Sequence, residues 1–135
     1  MTKRVCYHVC MQLLVLFLLS ALLTLAIVHA AALHFFLYWK YNWFDIPMHF
    51  LGGLCVALGF AILPYFRVTL PERYTTFLAY VAVVLIVGLS WEVFEIASGV
   101  NVIDEYFVGD TILDIIMDLF GGWVGYTLYK RIITM

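Results

Sequence analysis

Charge is what this 135-residue chain has least of. Only 12% of its residues are Asp, Glu, Lys or Arg, against 66% apolar, and the mean hydropathy is +1.05. Soluble domains carry about 25% charge and 45–50% apolar residues, so a water-soluble globule is excluded. A net charge of −2 leaves no basic face to neutralise phosphates, which excludes nucleic-acid partners. Cysteine is scarce too, with three in all, so no disulfide framework is available. Cys6, Cys10 and Cys55 read as reduced, small apolar residues, and Cys6-x-His8-x-Cys10 lacks the rest of a zinc ligand set. Residues 5–39 contain no Asp, Glu, Lys or Arg at all. The composition implies an all-α, single-domain integral membrane protein.

The chain divides into four apolar segments, at about 11–37, 47–66, 74–98 and 110–129, each near the ~20 residues that a crossing needs. Together they predict a four-helix transmembrane bundle over residues 1–135. Thr2-Lys3-Arg4 and Ala30-Ala31-Ala32 resemble the start and cleavage site of a signal peptide. The apolar run between them exceeds the usual ~7–15 residues, so an uncleaved first helix is expected. Residues 38–45, rich in Tyr and Trp, suit the headgroup level, and Pro47 suits the first turn of a helix. Arg67 to Arg73 forms a polar turn, and Gly99 to Gly109 an acidic loop with Asn101, Asp104 and Glu105. With four crossings, Lys3, Arg4, Arg67, Arg73, Lys130 and Arg131 share one side and Lys40 alone faces the other. The positive-inside rule then predicts an inner-membrane, multi-pass protein with both termini cytoplasmic.

Against this apolar background the acids are conspicuous. Asp110, Asp114 and Asp118 recur every fourth residue in the last segment. A step of four advances only about 40° around a helix, so the three carboxylates form one stripe. Asp at the centre of a crossing costs roughly 2.5–3.5 kcal/mol on insertion scales, and that cost calls for a reason. Asp45 and His49 are spaced i, i+4, and Glu92 and Glu95 i, i+3, each pair on one helix face. In the predicted topology all seven groups fall in the outer half of the membrane. His29 and His34 share that depth but read as polar contacts between helices. Asp45 and Asp110 also suit helix starts, Asp110 as an N-cap ahead of Thr111.

No Lys or Arg within the apolar segments can balance these acids. Carboxylates packed together cannot all ionise without countercharge, so the site must hold protons, cations or both. Oxygen-rich donors with one imidazole suit Mg, Mn or Ca better than Zn. The candidate ligands are Asp45, His49, Glu92, Glu95, Asp110, Asp114 and Asp118, with Glu92 and Asp114 the candidate catalytic groups. A divalent-metal-dependent enzyme acting on a lipid or lipid-linked phosphate is the first expectation. Proton or cation transport is the second, and a non-catalytic protein with a structural metal site the third. The lipid bilayer is the one partner implied; nothing indicates an oligomeric state. Gly52-Gly53 and Gly121-x-x-x-Gly125 predict close helix packing.

Asp45-x-x-x-His49-Phe50, Trp91-Glu92-x-x-Glu95 and Asp110-Thr111-x-x-Asp114-x-x-x-Asp118-x-x-Gly121, taken in order, resemble the small inner-membrane proteins of the YjdF-like family, itself similar to the VanZ-like proteins. The resemblance covers roughly residues 45–125, the last three segments. VanZ-like proteins often have Lys where Ile46 stands and Asn where Asp118 stands. The kinship implies action at the cell envelope and names no reaction. Two other lipid-enzyme patterns fail. The Asp-Gly-x-x-Ala-Arg that CDP-alcohol phosphotransferases need is absent, and UbiA-type prenyltransferases need two Asp-rich motifs on more helices.

Overall fold

The computed structural model describes residues 3–41, 43–68, 70–99 and 107–134, with side chains described from Tyr7 onward. Asn101, Asp104 and Glu105 lie outside the described residues, as does the Cys6 side chain. Among the described residues all regular structure is helical, with no strand: α1 (Lys3–His34), α2 (Leu37–Lys40), α3 (Asp45–Ala61), α4 (Phe77–Ser98) and α5 (Phe107–Ile133), with short 3₁₀ turns at Leu63–Phe66 and Glu72–Tyr74. Two helices are long and apolar enough to cross a membrane, Tyr7–His34 with mean hydropathy 2.6 and Phe77–Ser98 with 2.2. α3 has 17 residues, about 26 Å of helix at 1.5 Å per residue. α5 has 27 residues but carries the Asp stripe near one end and Lys130 and Arg131 at the other.

The helix ends differ from the sequence expectations for identifiable reasons. α1 stops at His34 rather than Leu37, because Phe36 takes a left-handed conformation with φ 57° and turns the chain into α2. No Gly or Pro marks that turn, so hydropathy runs straight through it. α3 ends at Ala61, short of residue 66. Pro64 has no N–H to donate and its ring clashes with the preceding turn, so the chain tightens into the 3₁₀ turn. α4 starts at Phe77, where the Thr76 hydroxyl accepts from the Ala79 N–H as an N-cap. It ends on Gly99, whose φ of 67° lets its N–H reach the carbonyls of Glu95 and Ile96. The described part of α5 already begins at Phe107, three residues before Asp110.

α3 and α5 form the spine. A Cβ added at Gly53 would collide with the Asp118 backbone, and one at Gly121 with the Phe50 carbonyl, so the two helices meet main chain to main chain. Farther along, Gly125 rests on Ala57. Without a hydrophobic drive between helices in lipid, small residues that permit such approach are the main source of packing energy. α4 closes against this pair through Tyr80 and Val84, which pack with Ala57 and Ala61. α1 joins by a narrow stripe. Met11, Leu14, Leu18 and Ala21 are buried against Cys55, Leu58, Ile62 and Ile132, while Leu16 and Leu19 between them and Leu23 and Ile27 beyond them are exposed. These contacts bring the early part of α1, the end of α3, the start of α4 and the end of α5 to one end of the bundle. The other end gathers the start of α3, the end of α4 and the start of α5.

Candidate metal centre

That second end holds the acids. His49 lies one turn into α3 and stands at their centre. Its Nδ1 donates to Asp118 Oδ2 at 3.3 Å. Its Nε2 faces Asp45 Oδ2 at 3.6 Å, Glu92 Oε1 at 3.8 Å and Asp114 Oδ2 at 3.9 Å. One imidazole thus meets carboxylates from three helices. The i, i+4 spacing within α3 brings Asp45 over His49, and the same spacing in α5 sets Asp114 and Asp118 on either side of the ring.

Burial is deep. Asp114 is 1% exposed, Glu92 3% and His49 5%. Glu95 and Asp118 are also buried, whereas Asp45 is half-buried. Both carboxylate oxygens of Glu92 and both of Asp114 are shut away from solvent without a well-formed hydrogen bond, and so is the neighbouring Thr111 hydroxyl, the one side-chain donor set toward Glu92. Buried oxygens without donors are costly, and a native site with four of them needs an explanation. Glu95 is better served, since Trp91 Nε1 donates to its Oε1 at 2.9 Å.

Two sets of ligand atoms converge on the imidazole. His49, Glu92 and Asp114 offer atoms all within 4.8 Å of one another, as do Asp45, His49 and Glu95. The first set is fully buried and the second opens through Asp45 toward the helix ends. Asp118 belongs to neither. It lies on the other side of the ring, where it holds the imidazole by Nδ1 and leaves Nε2 turned to the remaining acids. Gly88 makes that possible: a Cβ there would come within 2.5 Å of Asp118 Oδ2. Gly52 is looser, with its would-be Cβ 3.6 Å from Asp118 Oδ1.

Asp110 does not join. It is exposed, in neither set, and within the first described turn of a helix that has already begun, so it is not the N-cap expected of it. A step of four drifts around the helix, and two such steps also travel toward its end, so the outermost Asp leaves the inward face. His29 bonds the Tyr38 hydroxyl at 2.8 Å and His34 packs edge-on to Phe35. Both contacts are local rather than between long helices. Tyr38, read from sequence as a headgroup aromatic, is a neighbour of the site. Burial, with the nearby charges of Asp45 and Glu95, pushes its hydroxyl up to about 12, so it stays protonated. Gly88 also serves the site unforeseen, and Trp91, which the motif contains, does so by a bond that was not read from it. The i, i+4 spacing from Trp91 to Glu95 was the available signal; a lone Gly88 in an apolar run offered none.

No curated protein and no solved structure matches the chain. A family model does match, over residues 2–134, well beyond the 45–125 stretch that carries the motifs and with α1 included. With an apolar helical bundle and an acidic centre already in view, the chain belongs to the family described as predicted membrane protein (DUF2238).

Proposed function

We propose that the acidic end of the bundle is a divalent-cation centre facing the outer leaflet, and that it serves an enzyme acting on a lipid or lipid-linked phosphate at the cell envelope. In this reading α1, α3, α4 and α5 all cross the inner membrane and both termini are cytoplasmic. The YjdF-like motifs are those of the family matched here, and the kinship with VanZ-like proteins is part of the same proposal. The observation that carries the reading is the set of four buried oxygens on Glu92 and Asp114, none with a well-formed hydrogen bond, around the Nε2 face of His49. No Lys or Arg is paired with them among the described residues.

The donor set fits a hard cation with mixed oxygen and nitrogen ligands, Mg, Mn or Ca before Zn. When bound, such an ion supplies Lewis-acid stabilisation for charge developing on a phosphoryl oxygen. The protein does the rest. Asp118 fixes the tautomer and orientation of His49, as outer partners of metal-binding histidines commonly do. Glu92 and Asp114 are placed to hold the cation, and whichever of their oxygens is left free can take a proton from an attacking water or hydroxyl. Asp45 and Glu95 form the more open set, on the side from which a headgroup would arrive. Tyr38 bounds that side with a neutral hydroxyl.

Conduction is less well supported than catalysis. Past Asp118 the polar column meets the tight contacts of Gly122 on Val84 and Gly125 on Ala57, and the core there is Ala57, Ala61, Tyr80 and Val84. Elemental analysis of the purified protein is the deciding measurement. Wild type is expected to retain divalent metal, and Glu92→Gln with Asp114→Asn to lose it. Equal metal content in that variant and wild type would sink the proposal.

A further inference from the structure

The opposite end of the bundle carries a feature that the acidic centre does not use. A cleft of about 660 Å³ lies between the start of α4 and the end of α5, bounded by Arg73, Lys130, Glu72, Thr76 and Tyr126. Beside it runs a second hollow of about 570 Å³, lined by Phe60 of α3 and by Leu78, Ala82, Val83 and Ile86 along α4. A basic recess therefore adjoins an apolar trough on the outside of the bundle, the two sharing Arg73 and Thr76.

The cations in the recess are uncommitted. Neither Arg73 nor Lys130 is within ion-pair distance of a carboxylate among the described residues. Arg73 lies over the Tyr74 ring, 4.9 Å from its centroid, a stacking that leaves the N–H edge of the guanidinium open to an acceptor. The Thr76 hydroxyl is already engaged, donating to the Arg73 carbonyl and accepting from the Ala79 N–H. The recess thus offers an anion two side-chain cations and the positive start of α4. Glu72 is the only acid in its lining among the described residues. The balance is one net positive charge, which matches a headgroup of one net negative charge.

We propose that this recess and trough bind one anionic phospholipid, its phosphodiester between Arg73 and Lys130 and an acyl chain along α4 past Leu78, Ala82 and Ile86. Arg is suited to phosphate by its planar fork, and basic recesses between membrane helices are recurrent headgroup sites. The site is distinct from the acidic centre. Thr76 and Glu92 are 16 residues apart on one helix, roughly 24 Å along its axis.

The test is lipid retention by native mass spectrometry on protein incubated with phosphatidylglycerol or phosphatidylcholine. Wild type is expected to retain phosphatidylglycerol selectively. Arg73→Gln with Lys130→Gln should lower that retention roughly tenfold or more. Ala82→Trp, at an exposed position, should also lower it by filling the trough with no change of charge. Arg131→Gln removes a neighbouring charge outside the recess and should leave retention as it was. Equal retention of the two lipids by wild type would overturn the proposal. So would full retention by the double variant, or equal losses in Arg131→Gln and the double variant.

Discussion

Asp118 is the residue on which the centre turns, although it is in neither ligand set. It touches His49 on one side and the glycines of α3 and α4 on the other. Replacing it with Asn keeps the volume and removes the charge that orients the ring. Loss of such an outer partner typically weakens metal affinity by 10- to 100-fold, and Asp118→Asn is expected to do so without unfolding the protein. Metal titration of the purified variant measures it; unchanged affinity would mean that Asp118 has no orienting role. The glycines make a sharper series. At Gly88 a methyl group would meet Asp118 Oδ2 at 2.5 Å, whereas at Gly59 it would meet nothing within 4 Å. Gly88→Ala should therefore displace the carboxylate and weaken the same titration. Gly59→Ala should keep it and stabilise α3 by roughly 0.5–1 kcal/mol, since Ala is the better helix former.

At the scale of the element, the helix ends decide where the acids stand. α4 starts at Phe77 behind the Thr76 N-cap, three residues after the expected start at residue 74, and ends at the expected Ser98 on the left-handed Gly99. Thr76→Ala is expected to cost about 1 kcal/mol. Gly99→Ala should cost a similar amount, because an L side chain rarely adopts a φ of 67°. Thermal unfolding in detergent would show both losses. α3 and α5 were harder to bound. The α3 helix is shortened by Pro64, and α5 runs past both expected limits, to Phe107 and Ile133. The larger effect lies between helices. Gly53→Ala would drive a methyl group into the Asp118 backbone. Overpacking of that kind costs about 1–3 kcal/mol or more. Gly53→Ala should consequently lose metal and stability together, where Gly88→Ala loses chiefly metal.

For the whole molecule, the arrangement of helices separates two chemistries. The starts of α3 and α5 and the end of α4 carry the buried acids, while Arg73, Lys130 and Arg131 gather at the other end. If the bundle crosses the membrane as proposed, single cysteines at Trp43 and Val68, both exposed, should be labelled from opposite sides. Labelling of both from outside would defeat the outer-leaflet assignment while leaving the metal proposal to be judged by elemental analysis.

The sequence alone determined that the protein is helical and apolar, and that its acids fall on definable faces. Composition and the 3.6-residue period suffice for that, because both act within a single helix. It also brought Asp45, His49, Glu92, Glu95, Asp110, Asp114 and Asp118 forward as one group. It could not separate their roles. Asp110, Asp114 and Asp118 have equal spacing in the sequence, yet one is exposed, one is buried without a hydrogen bond and one holds His49. That distinction depends on the close approach of α3 to α5 and on the room left by Gly88, which are contacts between residues far apart in the chain. The same holds for α1, apolar on every side, where only packing selects Met11, Leu14, Leu18 and Ala21 as the inner stripe. Periodicity reports the face on which a side chain lies; only the neighbouring helix decides what that face meets.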